Sequence, residues 1–355
     1  MKDVAIIGLG PAGATLARLL AGMLDVVAFD KKAADPDAAG FRKPCGGLLA
    51  EDAQRSLSRQ GLTLPKSVLA DPQIFEVRTL DLCRRLERCY RRFYINMDRH
   101  KFDLWLQSLV PATVEIHNAC TVKFFERADD AWRIHYYENG EKKTIEARYI
   151  VGADGAASLV RRTIAPDHKI RSYNAVQQWF KDESARGLYA CFFDERLSDC
   201  YGWAVSKDGR VVFGAAFPPK NSKQAYDTLL ARAREAGFSL GEPLATEACQ
   251  VLRPERMDDF VLGNDDGVFL IGEAAGFISP SSLEGMSYAL DSAEILAGTL
   301  LRENADLFED YKKSTLKLRL KLLSKILKNP FMYNPVLRSF VMKSGIASIA
   351  VPARK

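Results

Sequence analysis

The hydrophobic positions of this chain follow two patterns, and each predicts its own kind of strand. Unbroken apolar runs are typical of parallel strands that are covered on both faces, and they occur at 4–7, 26–29, 149–151 and 268–271. Alternating apolar and polar positions are typical of half-buried strands, and they occur at 74–80, at 89–95 and, rich in Tyr, Trp and Phe, within 173–217. The sequence therefore predicts a buried parallel sheet and a second sheet with aromatic faces.

Helices and a strand meander are predicted between these runs. Apolar residues at helical spacing predict helices over 98–109, near 222–236 and near 306–328. Strand-like runs that predict a meander lie at 113–118, 120–126, 132–137 and 143–147, and a strand near 245–251 completes the second sheet. Because unbroken runs stand on both sides of the alternating ones, we expect the second sheet to be inserted into the domain that holds the first.

The first apolar run leads directly into a glycine-rich turn that favours dinucleotide binding. Gly8, Gly10 and Gly13 have the spacing G-x-G-x-x-G, a helix is predicted from Ala14, and the next strand ends on Asp30. The glycines allow a tight turn, the approach of a pyrophosphate to the backbone and close packing of the helix on the strand. N–H groups at the start of the helix suit the phosphates, and Asp30 is expected to accept the ribose hydroxyls.

Composition and charge narrow the class of protein. The 355 residues are 47% hydrophobic and 27% charged, which is ordinary for a globular protein. The seven cysteines include no C-x-x-C pair and the four histidines have no ligand spacing, so neither a disulfide framework nor a metal site is expected. No signal-peptide pattern is recognised, which predicts a cytoplasmic protein. The net charge of +5 divides into +11 for 311–355, a stretch without acidic residues, and −6 for the rest.

Several separated motifs make the chain similar to one family. They are Gly8-Leu9-Gly10-Pro11-Ala12-Gly13, then Asp30-Lys31-Lys32, Arg99, and Gly152-Ala153-Asp154-Gly155. On these residues the whole chain resembles the flavoproteins with two dinucleotide-binding motifs, specifically the geranylgeranyl reductase family, and within it the bacterial CbrA-type oxidoreductases. The resemblance implies that the protein binds FAD, with Arg99 over the phosphates and the ribityl chain of the cofactor.

The resemblance also assigns a set of cofactor residues. They are Gly8, Gly10, Pro11, Ala12, Gly13, Asp30, Lys31, Lys32, Arg42, Cys45, Gly46, Gly47, Arg99, Val122, Asp154, Gly155, Gly272, Glu273, Gly276, Gly285 and Met286. Where the family has the motif G-D-A-A-G, this chain has Gly272-Glu273-Ala274-Ala275-Gly276. Glu273 is expected to replace the aspartate that accepts a hydrogen bond from a ribityl hydroxyl. Gly285 and Met286 are expected to begin a helix whose N–H groups point at the flavin.

Two segments resemble the part of the family site where the reaction takes place. Pro44-Cys45-Gly46-Gly47 resembles a loop that places a cysteine beside the flavin ring. The segment 201–207 resembles the family signature Y-x-W-x-F-P-K, which lines the cavity for a lipid chain, and it keeps Tyr201, Trp203 and Lys207. Tyr201 and Trp203 lie two apart on a strand and so face one side. Cys45, Tyr201 and Trp203 are the predicted catalytic residues, and Tyr201, Trp203 and Lys207 the predicted substrate residues.

The resemblance implies a mixed α/β fold of the p-hydroxybenzoate hydroxylase type. Residues 1–73, 96–170 and 260–305 are expected to form a discontinuous, Rossmann-like FAD domain. Residues 74–95 and 171–259 are expected to form an inserted antiparallel sheet that binds the substrate. Residues 306–355 are expected to form a basic, helical C-terminal segment.

The implied activity is the reduction of carbon–carbon double bonds in a prenyl chain or another apolar substrate. FAD would supply the hydride, and Cys45 or a water held by Tyr201 the proton. Because no second G-x-G-x-x-G motif is present, the expected reductant is NAD(P)H that binds transiently or a ferredoxin-like partner protein. Nucleic acid is not expected as a partner, because the part of the chain with the cofactor motifs is acidic.

Other interpretations stay open at this point. A single-component FAD monooxygenase, hydroxylating an apolar or aromatic substrate, shares this cofactor architecture. A flavoprotein that binds polyprenyl lipid at the inner face of the membrane would use the basic amphipathic helix near 306–328 for peripheral contact, whereas the simpler interpretation is a closing helix packed on the cofactor domain. Cys45 as a small buried hydrophobe, and Tyr201 and Trp203 as core aromatics, are the structural alternatives.

Overall fold

Two large mixed sheets carry most of the strands. The computed structural model describes residues 1–35, 43–183, 187–302 and 306–350, so Arg42 of the predicted site lies outside the described residues. The strands are β1 (Lys2–Ile7), β2 (Val26–Phe29), β3 (Leu48–Leu49), β4 (Glu76–Asp81), β5 (Leu86–Arg91), β6 (Ile95–Asn96), β7 (Glu115–His117), β8 (Thr121–Ala128), β9 (Ala131–Glu138), β10 (Glu141–Gly152), β11 (Ser172–Lys181), β12 (Tyr189–Phe193), β13 (Gly202–Lys207), β14 (Arg210–Phe217), β15 (Ala245–Leu252), β16 (Gly263–Asn264), β17 (Val268–Leu270) and β18 (Ser348–Ile349).

Helices cover the first sheet, flank the second and form most of the C-terminal segment. They are α1 (Pro11–Leu20), α2 (Glu51–Arg59), α3 (Arg99–Ser108), α4 (Leu159–Ile164), α5 (Ser222–Glu235), α6 (Met286–Leu300), α7 (Leu307–Ser314), α8 (Leu316–Ile326), α9 (Asn329–Tyr333) and α10 (Pro335–Ser344). The mixed α/β fold that the sequence predicts is confirmed.

The unbroken apolar runs form the centre of the first sheet. Its main strand order is β16-β17-β10-β1-β2-β7, and all neighbours from β17 to β7 are parallel. Val4, Ala5 and Ile6 of β1 are fully buried, and burying a valine or isoleucine side chain contributes about 1.5–3 kcal/mol. The carboxyl ends of these parallel strands therefore share one edge of a rigid core.

Strand β10 differs from the prediction, which treats 143–147 and 149–151 as separate runs. Its first half, through Ala147, pairs antiparallel with β9, and its second half pairs parallel with β1. The hydrophobic pattern changes along one continuous strand because the first half belongs to an exposed meander of β8, β9 and β10, whereas the second half lies in the covered core.

The second sheet contains the aromatic, alternating runs. Its strand order is β15-β11-β14-β13-β12-β4-β5-β18, and its pairs are antiparallel except for β12 with β4. Helix α5 covers one face, where Tyr226 and Leu229 pack with Phe213 and Phe217. On the opposite face, Tyr189, Trp203 and Val205 line a cavity. Strand β5 begins three residues before the predicted run at 89–95, because the chain reverses after β4 through Arg85, whose φ is 53°.

The predicted helix near 306–328 is divided into α7 and α8 at Thr315. The Thr315 hydroxyl donates to the carbonyl of Tyr311 at 2.9 Å, a bond of the kind that bends helices. Tyr311 is fully buried and donates to the carbonyl of Leu270 at 2.9 Å, and Leu322 is also in the core. The segment thus packs on the first domain. None of the helices in the described residues is both long and apolar enough to cross a bilayer.

Candidate functional site

A cavity of about 550 Å³ opens where the parallel strands end and the second sheet presents its free face. Ligands of open α/β sheets bind at this edge. The predicted residues that line the cavity are Gly8, Gly10, Pro11, Ala12, Asp30, Lys31, Lys32, Cys45, Gly46, Gly47, Arg99, Val122, Asp154, Gly155, Tyr201, Trp203, Glu273, Gly285 and Met286. Residues far apart in the chain are therefore brought together around one space.

The glycine-rich turn between β1 and α1 has little room for side chains. A Cβ added at Gly13 would lie 1.8 Å from the carbonyl oxygen of Gly8, and one at Gly8, where φ is 100°, would lie 2.6 Å from the carbonyl oxygen of Ala153. A Cβ at Gly10 would meet no atom within 4 Å. Gly13 therefore lies behind the cavity and allows close helix packing, whereas Gly10 leaves the backbone and the first N–H groups of α1 open to an anionic ligand.

Asp30 ties this turn to the end of β2. One carboxylate oxygen accepts from the backbone N–H of Leu9 and the other from that of Lys32, both at 2.8 Å. Asp30 is only 4% exposed. Because each carboxylate oxygen has a second lone pair, Asp30 can still accept hydroxyl groups of a ligand in the cavity.

Two cations beside the cavity share one buried carboxylate. Arg99, in the first turn of α3, donates its Nε to Asp103 at 2.7 Å, and Lys32 Nζ lies 3.2 Å from the other oxygen of Asp103. Burial opposes the charged form of Asp103, but Arg99 and Lys32 offset it and hold the pKa of Asp103 below its ordinary value. Asp103 thereby orients two cations on the wall, where they suit phosphate oxygens.

Asp154 follows β10, and one of its carboxylate oxygens has no partner among the described residues. Its Oδ2 accepts from the backbone N–H of Leu159 at 2.6 Å, whereas Oδ1 is buried without a hydrogen bond. Burial raises the pKa of Asp154 above its ordinary value. An unpaired buried oxygen is costly, and a hydroxyl donor on a ligand in the cavity would satisfy it.

The loop 43–47 brings Cys45 to the cavity. The Cys45 sulfur accepts from the backbone N–H of Gly47 at 3.3 Å and also interacts with the Arg99 guanidinium. Gly47 has a φ of 60°, and a Cβ there would lie 2.4 Å from the carbonyl oxygen of Met97. The loop can lie this close to the chain before α3 only because Gly47 has no side chain.

Lys207, which the sequence predicts as a substrate residue, lies behind the cavity wall instead. Its ammonium donates to the carbonyl oxygens of Gly47 at 3.0 Å and Met97 at 2.8 Å, and to the Asn96 side chain. Burial lowers the pKa of Lys207 to about 8. Strand β13 ends at Lys207 beneath the loop 43–47, so the Lys207 side chain meets the carbonyl oxygens of Gly47 and Met97 rather than open space. The structure thus corrects its assignment: Lys207 positions the loop.

Glu273 reaches further than the aspartate it replaces. One oxygen accepts from the backbone N–H of Leu252 in β15 at 3.0 Å, and the other forms a close ion pair with Lys43. Burial opposes the charge of Lys43, but Glu273 keeps the pKa of Lys43 above its ordinary value. The additional methylene therefore lets Glu273 join the second sheet and the loop 43–47, two contacts that the sequence does not predict.

The other two glycines of that motif do not line the cavity. A Cβ at Gly272, where φ is 58°, would lie 3.0 Å from the Ala12 side chain, and one at Gly276, where φ is 83°, would lie 2.5 Å from the carbonyl oxygen of Asp259. Gly272 and Gly276 thus allow close packing of the turn that carries Glu273. Gly285 precedes α6, and both Gly285 and Met286 line the cavity.

Aromatic residues form the wall contributed by the second sheet. Tyr201 and Trp203 lie 6.2 Å apart between ring centres, and the Tyr201 hydroxyl donates to the carbonyl oxygen of Ser282 at 2.8 Å. Trp203 lies opposite Gly214 of β14, where a Cβ would be 2.7 Å from the indole. Gly214 therefore lets the indole lie flat against the neighbouring strand. The indole Nε1 is buried and has no hydrogen-bond partner in the part of the chain that the structure describes.

Further residues that were not predicted line the cavity, among them Tyr94, Tyr189 and Glu284. The Tyr94 hydroxyl donates to Glu284 at 2.8 Å, and the Tyr94 and Tyr189 rings lie 6.1 Å apart. Burial raises the pKa of Tyr94 and of Tyr189 above the ordinary value. Strand alternation could have indicated Tyr189, but no local signal places Tyr94 beside Glu284, 190 residues later.

The arrangement fits an FAD molecule. The fit rests on the unpaired oxygen of Asp154, on the open space at Gly10, and on the cations held by Asp103. The volume lies in the range of about 300–1,000 Å³ that is common for ligand sites. Among the described residues, no group of three His, Cys, Asp or Glu side chains could hold a metal ion.

Comparisons with known proteins agree with this site. A family model described as an FAD binding domain matches residues 108–314. Protein CbrA of Escherichia coli O6:H1 is 52% identical over 347 residues, which cover 98% of this chain and 94% of the relative. Protein CbrA of Shigella sonnei is also 52% identical over 347 residues, which cover 98% of each chain.

Solved structures show the same fold at low sequence identity. A geranylgeranyl bacteriochlorophyll reductase-like protein from Thermoplasma acidophilum is similar with a TM-score of 0.80 at 16% identity, covering 100% of this chain and 93% of the other. The p-nitrophenol 4-monooxygenase PnpA from Pseudomonas putida DLL-E4 is similar with a TM-score of 0.74 at 17% identity, covering 97% and 93%. The predicted fold of the p-hydroxybenzoate hydroxylase type is thereby confirmed. The chain belongs to the FAD-dependent oxidoreductases, as a member of the family of CbrA proteins.

Proposed function

We propose that this oxidoreductase reduces carbon–carbon double bonds of a prenyl chain or another apolar substrate. The observation that carries the proposal is the aromatic wall, which continues the cofactor part of the cavity without a break. Tyr94, Tyr189, Tyr201 and Trp203 provide apolar ring faces there. An extended hydrocarbon chain suits such a surface better than a polar metabolite does.

Two tyrosine hydroxyls on this wall are occupied by the protein. The Tyr201 hydroxyl donates to Ser282 and the Tyr94 hydroxyl donates to Glu284. Burial keeps the pKa of Tyr201 well above its ordinary value, so this phenol stays protonated. Because those donors are already used, an apolar substrate would enter without leaving them unpaired.

Reduction of a double bond needs a hydride and a proton. Bound FAD supplies the hydride chemistry. We assign the proton to Cys45, which lines the cavity and whose sulfur accepts from the Gly47 N–H, so that its own S–H is left for donation to a substrate. Tyr201 is the second candidate, through a water that its oxygen could bind. Oxidised cofactor would be returned to the reduced form by NAD(P)H that binds transiently or by a ferredoxin-like protein.

A monooxygenase acting on an aromatic or apolar substrate is the second candidate function. It is favoured by Glu284, whose carboxylate lines the aromatic part of the cavity and could accept a substrate hydroxyl. A third candidate, the binding of a polyprenyl lipid without turnover, is supported by the same aromatic wall.

Anaerobic turnover distinguishes these functions. Purified holoprotein would be incubated with geranylgeraniol and NADPH, or with dithionite as an artificial reductant, and the product analysed by mass spectrometry. The proposed function predicts the gain of two hydrogen atoms per reduced double bond. In a parallel aerobic assay, oxygen uptake coupled to hydroxylation of a phenol would replace the reductase by the monooxygenase. Binding of geranylgeraniol without any product under either reductant would favour the lipid-binding protein.

A further inference from the structure

The C-terminal segment 312–349 exposes more large apolar side chains than any comparable stretch of the described chain. Nine of the seventeen exposed large hydrophobic residues lie in it. They are Leu316, Leu320, Leu327, Phe331, Val336, Leu337, Phe340, Ile346 and Ile349. Residues of this kind are normally scattered singly, and a cluster of them marks a contact surface.

Lysines stand between these side chains on the same helices. In α8, Leu316 and Leu320 alternate with exposed Lys317 and Lys321, and Phe340 of α10 is followed by exposed Lys343. Exposed lysines of the segment are Lys312, Lys313, Lys317, Lys321, Lys328 and Lys343. No Asp or Glu occurs from 311 onward.

The neighbouring edge of the second sheet continues this composition. Strand β18 pairs with β5, and Phe93, just after β5, is 49% exposed, with the Arg91 guanidinium 4.5 Å from the centre of its ring. The basic and apolar surface is therefore formed by both the C-terminal helices and the chain at the end of β5.

The segment is firmly attached, so its exposed face is not the result of loose packing. Arg338 of α10 is 4% exposed, and its guanidinium lies 2.9 Å from Asp81 and 2.9 Å from Glu195. Tyr333 of α9 donates to the carbonyl oxygen of Ser281. Arg338 and Tyr333 thus fix the inner side, while the lysines and apolar residues named above are exposed to solvent.

We propose that this surface docks on an anionic lipid bilayer. Apolar side chains flanked by lysines suit the boundary between headgroups and acyl chains. The apolar side chains are buried there, and the lysines meet the lipid phosphates. A symmetric pair of copies would place Lys317, Lys328 and Lys343, which form no ion pair within the described residues, near the same lysines of the other copy, and these charges repel. A soluble acidic partner would satisfy the lysines but not the apolar side chains.

Docking would also bring the cavity close to the lipid, a consequence that rests on the proposed function. Tyr333 holds Ser281, and the next residues, Ser282 and Glu284, line the cavity. Lys325 of α8 lies 5.3 Å from the ring of Tyr288 in α6, next to the same loop. An apolar substrate could then pass from the bilayer to the aromatic wall over a short distance.

Vesicle sedimentation tests the docking itself. The FAD-loaded protein would be mixed with vesicles of phosphatidylcholine alone and with vesicles that contain phosphatidylglycerol. We expect binding to the anionic vesicles only, weakened by salt, and at least a tenfold loss for the variant Lys317→Glu/Lys328→Glu/Lys343→Glu. The matched control Lys169→Glu/Lys220→Glu/Lys223→Glu changes the net charge equally at exposed lysines elsewhere and should still bind.

The apolar contribution is tested by Phe331→Ser/Phe340→Ser against the control Phe124→Ser/Leu244→Ser, which removes exposed apolar groups outside the segment. Only the first should lose binding, and the flavin content of each variant reports its folding. Absence of wild-type binding to anionic vesicles, equal loss in the controls, or a dimer in sedimentation velocity that only the Phe331→Ser/Phe340→Ser variant disperses would overturn the proposal. None of these results would affect the reductase assay with geranylgeraniol, so the two proposals fail separately.

Discussion

The two parts of the cavity are built in different ways. The cofactor part is organised around closely packed backbone, to which a few polar side chains such as Asp30 are added. The glycine turn after β1 lies so close to the turn after β10 that a Cβ at Gly8 would be 2.6 Å from the carbonyl oxygen of Ala153. The aromatic part is formed by side chains of the second sheet, such as Tyr201 and Trp203. Backbone geometry tolerates almost no substitution, whereas a wall of side chains can change its shape while the sheet behind it remains intact.

This difference separates binding of the cofactor from selection of the substrate. Changes in the first part are expected to remove FAD and destabilise the fold together, because the same close contacts serve both. Changes in the second part are expected to leave FAD in place and alter turnover alone.

The largest effect is expected from Gly13→Val. Its Cβ would lie 1.8 Å from the Gly8 carbonyl oxygen, so α1 must move away from β1, at a cost of about 3 kcal/mol or more. Flavin absorbance per protein and the thermal midpoint should both fall. Gly241→Val is the control, since a Cβ there meets no atom within 4 Å. A Gly13→Val protein with full FAD content would contradict the backbone account of this part.

A smaller loss of FAD binding is expected for the variant Asp30→Ala. The change leaves the N–H groups of Leu9 and Lys32 without their acceptor, a cost of about 1–3 kcal/mol, and removes the acceptor for ligand hydroxyls. The Kd for FAD, measured by titration of the apoprotein, should rise about 100-fold. Asp25→Ala, which removes a surface partner of Lys2, should bind FAD normally. If the Asp30→Ala protein bound FAD as tightly as the wild type, Asp30 would have no part in the site.

Trp203→Leu addresses the aromatic part. We expect full FAD content but about a tenfold lower kcat/KM for geranylgeraniol, because the ring face that would contact the chain is lost. Trp132→Leu removes an indole from the outer meander, where its N–H donates to Asp266, and should leave turnover unchanged. Loss of FAD from the Trp203→Leu protein would contradict the separation of cofactor binding from substrate selection.

The smallest effect is expected from the pH dependence that Asp103 creates. Arg99 and Lys32 hold its native pKa below the ordinary value, so its contribution is complete above the unfolded-state pKa and disappears as the pH falls through the lower native pKa. Asp103→Asn should therefore flatten the acid side of the stability curve, as measured by urea unfolding between pH 3 and about 6. An unchanged acid slope would contradict this ion-pair account.

Much of the first domain could be predicted because its signals are local. The turn that contains Gly8, Gly10 and Gly13 follows from a short spacing, and at Gly8 and Gly13 only glycine fits. The unbroken runs follow from burial on both faces. Contacts between distant segments could not be predicted. The pairing of Lys43 with Glu273 joins residues 230 positions apart, and Lys207 has the correct alternation for the cavity but meets the carbonyl oxygens of Gly47 and Met97.

By itself the sequence determined the cofactor class, the kinds of strand and the acid-free C-terminal segment, because each of these depends only on residue types and on their spacing over a few positions. Only the tertiary structure decided that Gly214 makes room for Trp203, that Tyr94 meets Glu284, and that the exposed apolar residues of α8 to α10 remain uncovered. The reason is physical: spacing along a chain specifies a turn or a face, whereas strand register and packing specify which faces meet.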